Sequence, residues 1–207
     1  MDLEGGCGLR ESLAGYDAAL RRASFRFVRD TSDRVPPSRT VIVPGCARLD
    51  PSVAKNLQAS LHAGALVLVE SGAAYADPTE FAGHQTALDT HFGLKIEEPV
   101  HLWPTREGAS ARGREAASSA RVPYVDLIWP IEAKVRDFSR VVPLCASESA
   151  WTARGVEPIG WVEGRPMAAH QTRGRGSLIY LGSPLGPALR YGDREAERWF
   201  NALLKLA

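Results

Sequence analysis

Two neighbouring strand ends carry the side chains best suited to chemistry. The apolar run Val67-Leu68-Val69 closes on Glu70, Ser71 and Gly72, which are a carboxylate, a hydroxyl and a turn-forming glycine. A strand that turns sharply into a helix lifts one side chain above the sheet edge, beside a helix amino terminus that stabilises developing negative charge. At this turn the lifted side chain is Ser71, and the chemistry it suggests is nucleophilic attack, given a base within reach. Glu70 with His84, His91 or His170 completes such a set. The competing reading makes Ser71 a small turn residue and Glu70 a polar cap. The earlier run Val41-Ile42-Val43 ends in Pro44-Gly45-Cys46, bringing backbone N–H groups and a thiol to the same edge. A thiol near helix amino termini can ionise and react, whereas a buried one is simply a small apolar group. The late run Leu178–Leu181 exits through Gly182, Ser183, Pro184 and Leu185.

Other residue types argue against further chemistry. His84 and His91 stand seven apart on one expected helix, whereas metal pairs on helices use three- or four-residue spacing. Cys7, Cys46 and Cys145 show no CxxC spacing, so no metal and no disulfide framework is expected. Gly5-Gly6-Cys7-Gly8 offers backbone N–H groups to an anion but lacks the Lys-Ser/Thr ending of a phosphate-binding loop. No cofactor is expected. Trp103-Pro104 and Trp129-Pro130 could stack on a sugar ring or cover a partner, although core packing is the commoner use of such rings.

The elements that must position these residues read as alternating helices and strands. Leu9, Leu13, Tyr16 and Leu20 recur at helical spacing over 9–22. Ser24–Val28 reads as a short strand, and Thr40–Val43, rich in β-branched residues, as a strand buried on both faces. Asp50 and Pro51 open a helix that Gly64 closes, and Ala65–Val69 is the next strand. Asp77-Pro78-Thr79-Glu80 opens a helix running to about His91. Thr105–Arg121 has no apolar period and reads as an exposed loop. Short apolar runs from Tyr124 to Leu181 suggest an antiparallel ribbon, and Ala196, Trp199, Phe200, Leu203 and Leu204 mark a final helix. The expected fold is α/β, a mostly parallel, three-layer sheet with helices on both faces and that ribbon near the carboxyl end.

At the three strand ends the chain resembles the class I glutamine amidotransferase-like superfamily, whose fold is flavodoxin-like. Pro44-Gly45-Cys46 stands where that family has Pro-Gly-Gly. Val69-Glu70-Ser71-Gly72-Ala73 lies over its Gly-x-Cys-x-Gly elbow, and Gly182-Ser183-Pro184-Leu185 over its His-Pro-Glu. The resemblance therefore implies a degenerate site, with Ser71, Ser183 and Leu185 where the catalytic cysteine, histidine and glutamate would be. Glutamine hydrolysis needs all three roles. The implied function is a non-catalytic domain binding a small ligand or protein partner around Gly45, Cys46, Glu70, Ser71, Gly72, Ser183 and Pro184. One alternative is a hydrolase or acyl-transfer enzyme using Ser71, or less readily Cys46. A second is an accessory domain of a larger carbohydrate-active protein, suggested by the abrupt start and the Trp-Pro pairs.

Composition narrows the partners. With 207 residues, one domain is expected. Lys and Arg total 25 against 24 Asp and Glu, so no broad field recruits nucleic acid or an anionic membrane. No apolar run approaches a membrane span, and the amino terminus lacks a signal-peptide pattern, so a cytoplasmic location is expected. The apolar ribbon admits a homodimer.

Overall fold

The computed structural model describes residues 9–30, 38–46, 48–71, 78–100, 123–136, 141–145, 151 and 153–207. Among the described residues the chain forms α1 (Leu9–Arg22), β1 (Thr40–Cys46), α2 (Pro51–Ala63), β2 (Leu66–Ser71), α3 (Pro78–Phe92), β3 (Tyr124–Leu127) and β4 (Ala133–Arg136). β5 (Val156–Val162), β6 (Arg165–Arg173), β7 (Gly176–Leu181), α4 (Leu185–Arg190) and α5 (Arg194–Leu204) complete it. The expected loop at 105–121, Gly5–Gly8, Asp77 and Trp103 lie outside the described residues.

All seven strands join one sheet in the order β1-β2-β7-β6-β5-β3-β4. Only β1–β2 and β2–β7 pair in parallel; β7–β6, β6–β5, β5–β3 and β3–β4 are antiparallel. The sheet is therefore mixed and curls into a half-barrel, which corrects the expectation of a mostly parallel, flavodoxin-like three-layer fold. The physical reason lies in the connections. Parallel neighbours need a crossover helix, and only α2 and the long return to β7 supply such crossings. From β5 onward, tight turns at Glu163-Gly164 and Gly174 fold each strand directly back on the last.

Two further expectations change. Ser24–Val28 forms no strand. Thr40–Val43 lies in the sheet's edge strand and is half-buried, not enclosed on both faces. Its β-branched residues suit an extended backbone at either position, so composition could not tell edge from centre. The helix boundaries follow local chemistry more closely. Pro51 begins α2 and Gly64, at φ 105°, ends it. Asp193 caps α5 by accepting from the N–H groups of Glu195 and Ala196.

Alternation along the strands divides the core. Leu66 and Leu68 of β2, with Ile179 and Leu181 of β7, face a cluster containing Tyr16 and Leu20 of α1, Leu189 of α4, and Trp199 and Phe200 of α5. Val67, Val69, Leu178 and Tyr180 face the other way, into Leu57 and Leu61 of α2 and Leu88 and Phe92 of α3. Helices α1 and α4 cross almost backbone to backbone. A Cβ on Gly15 would lie 1.7 Å from the Gly186 carbonyl oxygen, and one on Gly186 would lie 2.4 Å from the Ser12 Cα. Gly15→Ala must push these helices apart, so it should lower unfolding free energy by about 2 kcal/mol. A fall in the urea midpoint at constant slope would register that loss; an unchanged midpoint would refute the crossing.

Candidate functional site

The carboxyl ends of β1, β2 and β7 come together as the sequence suggests. Cys46 pairs with Ser71 in the β1–β2 register, and Glu70 pairs with Leu181 of β7. Consecutive strand residues point to opposite faces, however, so Glu70 and Ser71 enter separate polar networks. Glu70 is not part of a Ser71 triad.

Glu70 is fully buried among the helices α1 and α4. Its Oε2 accepts from the Gly45 N–H at 2.7 Å, and its Oε1 accepts from the Gly186 N–H at 2.8 Å and the Tyr16 hydroxyl at 3.1 Å. The Ser12 hydroxyl lies beside the same carboxylate and favours its charge, yet makes no hydrogen bond of good geometry. Burial pushes the Glu70 carboxyl above its ordinary pKa, and the donor groups of Gly186, Ser12, Gly45 and Tyr16 around it pull the other way. The same burial, with Glu70 alongside, drives the Tyr16 phenol well above its usual value. One side chain thus ties α1, the end of β1 and the start of α4 together. Gly45 reaches it because its φ of 52° turns the backbone at an irregularity in β1.

Ser71 faces the opposite core and is also fully buried. Its Oγ lies 3.1 Å from His84 Nε2 and 3.0 Å from the Tyr180 hydroxyl, which itself donates to the Val142 carbonyl at 3.2 Å. The carbonyl can only accept, which sets the direction of the bonds leading to Val142. Tyr180 gives its proton to Val142, Ser71 donates to Tyr180, and His84 Nε2–H donates to Ser71. A nucleophilic serine requires the reverse, with its own proton given to the imidazole. Burial also holds His84 down to about 4, which makes it a weak base. Its Nδ1 faces Cys46 Sγ at 4.0 Å. Cys46 donates to the Arg48 carbonyl at 3.2 Å, and burial pushes its thiol up to about 12, far from a reactive thiolate.

Of the remaining site candidates, Gly72 lies outside the described residues. Ser183 and Pro184 are buried, Pro184 forming the cap of α4. His91 bonds with Gln58 across α2 and α3, and His170 lies opposite Ile179 on the other face of the sheet, so neither bonds Ser71. An open groove of about 740 Å3 lies elsewhere, lined by Asp17, Arg21, Phe25, Arg26, Phe27 and Arg29. Among the described residues no His, Cys, Asp or Glu cluster could hold a metal ion. No helix there is long and apolar enough to cross a membrane.

Sequence reasoning missed Tyr16, Gly186, Tyr180 and the Val142 carbonyl. The two tyrosines sit at apolar positions of a helix and a strand, and only the hydroxyl hints that a buried one needs a partner.

Fold and networks together define a mixed α/β domain whose buried Glu70 and Ser71 bond to other buried side chains and to its own backbone. No protein-family model matches the chain, and no curated protein matches it in sequence. Solved structures do. An exo-beta-1,4-mannosidase from Opitutaceae bacterium strain TAV5 shares 15% identity at a TM-score of 0.60, over 94% of this chain and 31% of that one. A beta-galactosidase from Rahnella sp. R3 shares 17% identity at a TM-score of 0.63, over 94% of this chain and 26% of that one. A cytoplasmic protein from Salmonella typhimurium LT2 shares 12% identity at 0.61, over 97% and 87%. The likeness is one of fold, and the chain spans less than a third of the two glycosidases. These neighbours and the mixed sheet overturn the resemblance to glutamine amidotransferases. Short strand-end motifs such as Pro-Gly and Gly-x-Pro suit many sheet exits and did not carry family information.

Proposed function

We propose that this chain is a non-catalytic accessory domain of a larger carbohydrate-active protein. Its fold recurs as a minor part of two glycosidases, which supports the setting. The observation that carries the non-catalytic half is that Ser71 donates to Tyr180, which donates on to the Val142 carbonyl. A serine held in that order is a structural hydroxyl, and Cys46 is too deeply buried to replace it.

The test is turnover. The purified chain should hydrolyse p-nitrophenyl acetate, p-nitrophenyl β-mannoside and p-nitrophenyl β-galactoside no faster than buffer, and Ser71→Ala should change nothing. Turnover lost in Ser71→Ala would overturn the reading and install Ser71 as a nucleophile.

A second reading has support of its own. The Salmonella protein matches over 87% of its length, so the fold also occurs as nearly a whole chain. On that reading the domain acts alone, binding a small ligand or a protein partner without chemistry.

A further inference from the structure

Outside the Glu70 and Ser71 networks, the adjacent strands β5, β6 and β7 place polar side chains in a row. His170 of β6 has Nδ1 3.4 Å from Glu157 Oε2 of β5 and Nε2 3.4 Å from Ser177 Oγ of β7. Over the imidazole lies the indole of Trp129, nearly parallel at 13°, with ring centroids 4.3 Å apart. The Trp129 carbonyl accepts from Trp199 Nε1 at 2.7 Å, which anchors the segment to α5. The arrangement leaves the His170 side chain 14% exposed and that of Glu157 75% exposed.

We infer that Trp129, backed by His170 and flanked by Glu157, is a stacking platform for a neutral sugar ring. This rests on the carbohydrate-active reading above and names the ligand class for it. Glu157 and Ser177 thus flank the two ring nitrogens of His170, one on each side. The imidazole sits between these two groups, and the indole stacks flat on it. A partly exposed indole whose orientation is already set loses little entropy on binding. A pyranose complements it in two ways. Its axial C–H face is apolar and flat, and its edge carries hydroxyl donors for the exposed carboxylate. A charged ligand fits worse, because an anion would meet Glu157 and a cation finds a single carboxylate already shared with His170.

The same row could be taken for a nucleophile relay ending at Ser177. Both of its hydrogen bonds are long, and the indole covers the imidazole face, so binding is the better use of the geometry.

The experiment is ligand-observed NMR with β-1,4-mannobiose and β-1,4-galactobiose, followed by calorimetric titration. The wild-type chain should bind at least one saturably, with roughly millimolar affinity. Trp129→Ala should abolish binding, Glu157→Gln should weaken it about tenfold, and Trp151→Phe, in the opposite core, should leave it unchanged. Glu157 is exposed, so its variant reports on the site even if Trp129→Ala fails to fold. No saturable binding by the wild type, binding retained in Trp129→Ala, or acylation of Ser177 by an activated ester would each overturn the inference. Failure here with no glycoside or ester turnover leaves the accessory-domain reading standing, whereas Ser71-dependent turnover removes that reading itself.

Discussion

Replacing Glu70 with alanine should lower the unfolding free energy by about 4 kcal/mol, as expected for breaking a fully buried hydrogen-bond network. The loss has an identifiable composition. Gly45 and Gly186 would each keep a buried N–H with no acceptor, and the Tyr16 hydroxyl would lose its partner. The start of α4 and the end of β1 would also lose the side chain that joins them. Glu70→Gln separates charge from shape. Its amide keeps one acceptor oxygen but turns an NH2 toward one of the former donors, so it should cost clearly less than alanine. Urea unfolding of the three proteins checks this. Equal midpoints for wild type and Glu70→Ala would mean that the carboxylate does not hold these segments. Because no catalytic role is assigned to Glu70, a large stability loss with no change in any measured turnover is the full expected pattern.

Acid should weaken the fold through His84. Unfolded, its imidazole titrates near 6.5; folded, burial holds it down to about 4. Between these values the unfolded chain binds the proton more readily, so stability is fully present above 6.5 and is lost as pH falls toward 4. The total change is about 3 kcal/mol. His84→Gln can still donate to Ser71 and cannot titrate, so it should flatten that slope. Glu70 acts with the opposite sign. Its carboxyl is raised in the fold, so its contribution is lost as pH rises through the folded value. Comparing wild type, His84→Gln and Glu70→Gln from pH 4 to 8 resolves the two. Identical slopes for wild type and His84→Gln would show that the imidazole is not buried neutral.

Several elements were legible in the residues alone, for reasons that are local. Pro51 and Gly64 bracket α2 because one suits a first helical turn and the other accepts a left-handed backbone. The apolar stripe ending in Trp199, Phe200 and Leu203 needs one buried face at helical spacing, and α5 supplies it. Gly45, Cys46, Glu70 and Ser71 do gather at one sheet edge, because each follows an apolar run that ends in a turn.

What failed depended on neighbours in space. An apolar β-branched run such as Thr40–Val43 fits an edge or a centre, and parallel or antiparallel pairing, equally well. The family resemblance rested on motifs of this local kind, and strand pairing removed its support. The chemistry turned on the same point. Glu70 and Ser71 are adjacent in sequence and were read together, yet the pleat sends them into different cores.

The sequence by itself determined the extents of α1, α2, α3 and α5, the apolar stripe of the last helix, and which polar residues reach the sheet edge. These depend on residue type and periodicity over a few positions. Only the tertiary structure decided how the strands are ordered, that Ser71 donates its proton to Tyr180 and not to His84, and that Glu70 answers two backbone N–H groups from distant segments. Each of those depends on which acceptor a folded chain brings within about 3 Å, and no spacing along the chain carries that information.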